Sequence, residues 1–150
     1  MGLTQLRTFL QRHTRIALDT SVFIYQLESN PRYAPLTDTI FQWLERPEHG
    51  AVTSTITMTE LLVQTYRDSR QELVDEFYAL LATYPNLDWI APNLEIADIA
   101  ARIRATHRLR TPDALQAATA IHARATGLVT NDPVFSRVET FETMVLDQLL

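Results

Sequence analysis

Arg15-Ile16-Ala17-Leu18-Asp19-Thr20-Ser21 is a short apolar run that stops at an acidic residue and passes into hydroxyl side chains. Such a run reads as a buried strand that feeds directly into a helix. The pattern recurs along the chain. Ala51-Val52-Thr53 is a minimal strand followed by Ser54 or Thr55 as a helix cap, with the helix running to about Tyr66. Leu87-Asp88-Trp89-Ile90, Leu128-Val129-Thr130 and Thr143-Met144-Val145-Leu146 read as three more strands.

The segments between these strands carry helical signals. Leu3, Leu6, Phe9 and Leu10 predict a short amphipathic helix over Thr4–Gln11. Val22–Leu27 is a short apolar stretch, and Leu36, Ile40, Phe41 and Leu44 share one face of Ala34–Leu44 before Pro47 and Gly50. Ser69 with Glu72 has the form of a capping box, opening a helix through Leu73, Phe77, Leu80 and Leu81 that ends before Pro85. Asn93 caps a stripe of Leu94, Ile96, Ala97, Ile99, Ala100 and Ile103. Thr111-Pro112 opens a further helix, with Gly127 expected as its left-handed terminator. Asn131-Asp132-Pro133 starts a turn or short helix. Short apolar strands alternating with helices predict an α/β fold of three layers, a short and mostly parallel sheet flanked by helices, as one domain over residues 1–150.

Composition narrows the chemistry. The 150 residues include no Cys and 13 basic residues, every one of them Arg. Thiolate nucleophiles and Cys-ligated metals are excluded, as are a phosphate-binding loop and Schiff-base chemistry, which need Lys. The net charge is −5, so any nucleic acid must be met by local arginines or a metal. No run approaches the roughly 18 apolar residues of a membrane span, and Arg7, Arg12 and Arg15 rule against a signal peptide. A cysteine-free chain suits a reducing compartment, so the expected location is the cytoplasm.

Ligands of parallel sheets collect at the carboxyl ends of the strands. Asp19 and Asp132 stand at such ends, Asp113 opens a helix, and Glu60 lies on the helix after Ala51-Val52-Thr53. Each has an ordinary use: Asp19 and Asp132 as caps, and Asp113 against the positive end of a helix dipole. Glu60 shares a helical face with Ile56 and Val63, which turns it partly inward, where an ionised carboxylate needs a partner. If the four converge, each pair about 5 Å apart repels by roughly 3 kcal/mol at an effective dielectric near 20. Without Lys or Cys, the simplest counter-charge is a divalent cation, and all-oxygen donors suit Mg²⁺ or Mn²⁺. An acidic site of this kind points to phosphoryl chemistry. Arg102, Arg104, Arg108 and Arg110, just before Asp113, would hold a polyanion across the acids. The histidines His13, His49, His107 and His122 form no metal-binding spacing and are expected on surfaces or helices.

Ile16–Ser21, Thr59-Glu60-Leu61-Leu62, Thr111–Ala118 and Leu128–Asp132 together resemble the four motifs of PIN-domain nucleases, especially VapC-type toxins. The resemblance spans residues 16–146. It implies a metal-dependent endoribonuclease in which Asp19, Glu60, Asp113 and Asp132 match the acidic quartet, with Asp19 and Asp113 as principal ligands of Mg²⁺ or Mn²⁺. Thr20, Ser21 and Thr130 would hold metal-bound water. It also implies hydrolysis of RNA to 5′-phosphate and 3′-hydroxyl ends, a homodimer, and a small antitoxin protein as partner. Two alternatives stand beside it: an inactive PIN-like module that binds RNA or protein, and a ribonuclease H-like nuclease. The latter needs a hairpin meander, for which the sequence gives no Asn-Gly signal.

Overall fold

Five strands, β1 (Arg15–Leu18), β2 (Gly50–Ser54), β3 (Leu87–Ile90), β4 (Gly127–Thr130) and β5 (Glu142–Val145), form one sheet in the order β3-β2-β1-β4-β5. All four pairings are parallel, with Leu18 opposite Val129 and Ser54 opposite Ile90. This computed structural model describes residues 2–150. Its helices are α1 (Gly2–Gln11), α2 (Thr20–Leu27), α3 (Ala34–Leu44), α4 (Ile56–Arg67), α5 (Gln71–Ala82), α6 (Leu94–His107) and α7 (Thr111–His122). Two short 3₁₀ turns, Pro133–Arg137 and Leu146–Leu149, flank β5.

Strand alternation sorts the helices into layers. Ile16, Leu18, Ala51 and Val129 face a core built with Phe9, Phe23, Ile40, Leu44, Leu61 and Leu81, contributed by α1 to α5. Ala17, Val52 and Leu128 face the opposite way, onto Ile96, Ile103, Ala114, Ala117 and Phe135. Successive side chains of a strand point to opposite faces, so strands with both sets buried must be covered on both sides. The expected three-layer α/β/α architecture is the one observed, and its sheet is wholly parallel. The chain runs outward from β1 to β3 and then crosses to β4 on the other flank of β1, so the strand order reverses between β1 and β4.

Ala34–Leu44 and Leu87–Ile90 have the bounds expected from the sequence, whereas several local signals resolve differently. Ser69 does not cap α5. It adopts a left-handed conformation (φ 54°) that ends the preceding helix, its N–H donating to Tyr66 O, and Arg70 takes the cap position with no side-chain hydrogen bond. Gly127 is likewise no terminator, because Arg124 (φ 60°) makes the left-handed turn after α7. Glycine is required at 127 for space: a Cβ there would lie 2.8 Å from Phe9 Cζ and 3.0 Å from His13 Cδ2. Leu94 is 90% exposed, and only Ile96, Ala100 and Ile103 of the expected α6 stripe are buried. On α5, Val74 and Leu81 are the buried positions while Leu80 is exposed.

His13 departs furthest from expectation. It is buried at the amino end of the sheet, its ring nitrogens 2.7 Å from Thr126 Oγ1 and 2.7 Å from Glu142 Oε1. Arg12 pairs with the same Glu142 at 2.6 Å. This cluster ties the end of α1 to β5, a link between positions 130 residues apart that no local pattern reveals.

Candidate active site

Asp19 leaves β1 at the crevice between β1 and β4, where the strand order reverses, and caps α2. Its Oδ1 accepts from Thr20 N–H at 2.8 Å and its Oδ2 from the Thr130 hydroxyl at 2.7 Å. Its own N–H donates to Val129 O at 3.1 Å. The carboxylate is thus fixed on one side by the first amide of α2 and on the other by the end of β4. Burial pushes the Asp19 carboxyl up from 3.8 to about 6, against the lowering effect of the Thr130 and Thr20 hydrogen bonds. The charges of Glu60 and Asp113 push it further in the same direction.

Those two charges arrive on separate helices. Glu60 is on the exposed side of α4, the buried side being Leu61 and Leu62, and reaches the site by accepting from the Thr20 hydroxyl at 2.7 Å. It therefore meets Asp19 from the solvent edge rather than from within the core, which corrects the inward placement inferred from its helical face. Asp113 lies in the first turn of α7 with its side chain 16% exposed, and Arg110 Nε contacts its Oδ2 at 3.3 Å. Asp132 follows β4, where its Oδ1 accepts from Val134 N–H at 3.0 Å and so caps the Pro133–Arg137 turn. Its N–H donates to Thr130 Oγ1 at 3.0 Å, the hydroxyl that holds Asp19.

The hydroxyls expected near a bound water are engaged with protein groups. Thr20 donates to Glu60, Thr130 donates to Asp19, and Ser21 Oγ accepts from Asn131 N–H at 3.1 Å. The four arginines do not act as one patch. Arg102 pairs with Asp98, Arg104 Nε donates to Leu109 O, and Arg108 closes α6 in a left-handed turn. Arg110 alone of the four touches an acid of the quartet.

Among the described residues, no three His, Asp or Glu side chains form a group that could hold a metal ion. A hydrated cation does not need three, because Mg²⁺ retains several waters and is held by one or two carboxylates. Asp19 and Asp113 offer oxygen donors only, and Asp19 is costly to ionise where it stands, so a hard divalent cation fits this donor set.

Two groups of residues beside the acids are not assigned to the site by the sequence. Tyr25 and Tyr33 stack with ring centroids 3.9 Å apart, and both hydroxyls contact Asn131 Nδ2 beside the site. Tyr33 also donates to Asp147, which lies beyond β5. Beneath the acids, Gln116 joins a buried hydrogen-bond chain with Thr57 and Thr53. Gln116 was visible as the one amide in the alanine-rich run Ala114-Leu115-Gln116-Ala117-Ala118.

The family model of the PIN domain matches residues 16–140, from the start of β1 almost to β5. The chain belongs to the PIN-domain family. That family is one of nuclease-type hydrolases, and its nucleases generally use divalent metals. Solved structures share the PIN fold at low identity. The VapBC2 complex of Rickettsia felis, bound to a promoter DNA fragment, is similar with a TM-score of 0.67 and 18% identity over 87% of this chain and 98% of that one. VapBC-1 of nontypeable Haemophilus influenzae gives 0.67 and 21% over 89% and 98%. FitAcB of Neisseria gonorrhoeae gives 0.61 and 21% over 86% and 96%. No curated protein matches the sequence.

Proposed function

We propose that this PIN domain is a divalent-metal-dependent endoribonuclease of the VapC type, the toxin of a toxin–antitoxin pair. The observation that carries the reading is the gathering of carboxylates at the sheet crevice: Asp19 held by Thr130 and the Thr20 amide, Glu60 held by the Thr20 hydroxyl, and Asp113 near enough for its charge to raise the Asp19 carboxyl. A structural role gives no reason to keep such a cluster at the crevice of a parallel sheet. Asp19 and Asp113 would hold Mg²⁺ or Mn²⁺, with Glu60 and Asp132 completing the acidic set. When bound, the cation supplies positive charge against the phosphate oxygens and makes water a better nucleophile at neutral pH.

The chain's own residues prepare that site. Thr130 and the Thr20 amide hold the Asp19 carboxylate in one orientation, and the Thr20 hydroxyl holds Glu60 beside it. Ser21 supports the loop after β4 through Asn131. Arg110, its side chain 80% exposed beside Asp113, supports an RNA phosphate contact next to the acids. Arg102, Arg104 and Arg108, engaged with Asp98, the Leu109 carbonyl and the end of α6, would meet RNA only as separate contacts.

Partners follow from the same reading. A toxin–antitoxin complex from Klebsiella pneumoniae and the VapBC complexes share this fold, which supports a small antitoxin for this chain as well. A homodimer belongs to the same reading, and the exposed Tyr66 on α4 and Tyr78 on α5, at 55% and 56%, support a second copy as the occupant of that face. Among the described residues no helix is long and apolar enough to cross a membrane, and we assign the protein to the cytoplasm.

The test is incubation of total RNA with the purified protein in Mn²⁺, in chelator, and with Asp113→Asn in Mn²⁺. Cleavage that requires both metal and Asp113 is the expected result. Identical RNA in all three samples overturns the nuclease reading.

A further inference from the structure

Asp19, Glu60 and Asp113 are carried by three separate elements, and one buried chain of hydrogen bonds joins all three. Gln116 is 2% exposed, and Thr57, Thr53 and Ser54 are 0% exposed. Gln116 Oε1 accepts from Ser54 N–H at 2.9 Å, which turns its Nε2 toward Thr57 Oγ1 at 2.8 Å. The Thr53 hydroxyl donates to Leu18 O at 2.8 Å. That commits the Thr53 proton, so in the 2.7 Å contact between Thr57 and Thr53 the Thr57 hydroxyl is the donor. The chain therefore runs in one direction, from Gln116 through Thr57 and Thr53 to the Leu18 carbonyl.

Three points of the chain lie within three residues of an acid. Gln116 is three residues after Asp113 on α7, Thr57 is three before Glu60 on α4, and Leu18 adjoins Asp19. Residues three apart share a helical face, so a bond made by one fixes the turn that bears the other. Thr20, which grips Glu60, also lies 3.4 Å from Thr57. An apolar set would fill this volume at less desolvation cost, since buried polar groups demand complete pairing.

We propose that Gln116, Thr57 and Thr53 are positioning residues that hold α7, α4 and β1 in register, and so set the spacing of Asp113, Glu60 and Asp19 for a divalent cation. The proposal rests on the metal-site reading above. Partners of this kind, which orient ligands without touching the metal, change metal affinity by about 10- to 100-fold when removed.

Thr57→Val keeps the shape and deletes the hydroxyl, Gln116→Met keeps the length and deletes the amide, and Thr57→Ser keeps the hydroxyl. Each full-length variant is melted in chelator and then titrated with Mn²⁺ by calorimetry, beside the wild type and Asp113→Asn. The expected result is cooperative melting with Mn²⁺ affinity at least about tenfold weaker in Thr57→Val or Gln116→Met, and near wild type in Thr57→Ser. Wild-type affinity in a cooperatively melting Thr57→Val or Gln116→Met overturns the proposal alone. Loss of cooperative melting in both shows a folding requirement instead, and also overturns it. A wild type that binds no Mn²⁺ through Asp113 overturns the metal reading and the proposal with it.

Discussion

Asp19 and Glu142 are carboxylates at opposite ends of the same sheet, and their surroundings are opposites. Glu142, at the amino end, accepts from Arg12 and His13, and the Arg12 hydrogen bond holds its carboxyl below the usual range. Asp19, at the carboxyl end, is raised to about 6 by burial and faces two further acids. Glu142 has its counter-ions within the chain and ties α1 to β5, so it is a clamp. Among the described residues Asp19 has hydroxyl and amide donors and no ion pair, the surroundings from which the proposed metal role is argued.

The comparison breaks most visibly through activity. Asp113→Asn is expected to reduce RNA cleavage by at least about 10²-fold while the metal-free protein melts no lower than wild type, as followed by gel assay and thermal unfolding. A marked drop in melting temperature would instead make Asp113 a helix-cap residue. At the amino end the pattern reverses. His13→Ala removes both hydrogen bonds and the packing on Phe9, and is expected to cost about 2–4 kcal/mol in urea unfolding, with cleavage by the remaining folded protein unchanged.

The two carboxylates also respond to pH with opposite sign. Asp19 binds its proton more tightly folded than unfolded, so its contribution is present below about pH 4 and is lost as pH rises through about 6, by about 3 kcal/mol at most. Glu142 binds its proton less tightly when folded, so its contribution is present above its unfolded value and is lost on acidification. Unfolding free energies in chelator from pH 4.5 to 7.5 should therefore fall more steeply for wild type than for Asp19→Asn. Mn²⁺ at 100 times its dissociation constant should restore about 2.7 kcal/mol at pH 7.5 in wild type and nothing in Asp19→Asn. Glu142→Gln is the smallest change, about 1 kcal/mol or less because its side chain is 43% exposed, and it should leave the Mn²⁺ response intact.

The two ends also differ in how legible they were. Asp19, Asp113 and Asp132 lie beside strand ends and helix starts, where a local pattern of apolar run, acid and hydroxyl marks them. Glu60 faces outward rather than inward, because a helical face does not reveal which side meets the core when Leu61 and Leu62 compete with Ile56 and Val63. His13 was assigned to a surface or helix because its partners, Thr126 and Glu142, are more than 110 residues away. Ser69 and Gly127 misled for a related reason: each residue type favours a particular turn, but the left-handed positions went to Ser69 itself and to Arg124.

By itself the sequence determined the strand and helix alternation, and hence a covered parallel sheet, because periodicity and flanking caps act over a few residues. It also determined the supply of chemistry, with oxygen donors, arginines and no thiol or ammonium side chains. Only the tertiary structure decided which flank of β1 receives β4, and that choice creates the crevice where Thr130 can grip Asp19. It alone brought Gln116 to Thr57 and Glu142 to His13. Hydrogen bonds and burial depend on distances in space, and a parallel sheet places side by side residues that the chain keeps many turns apart.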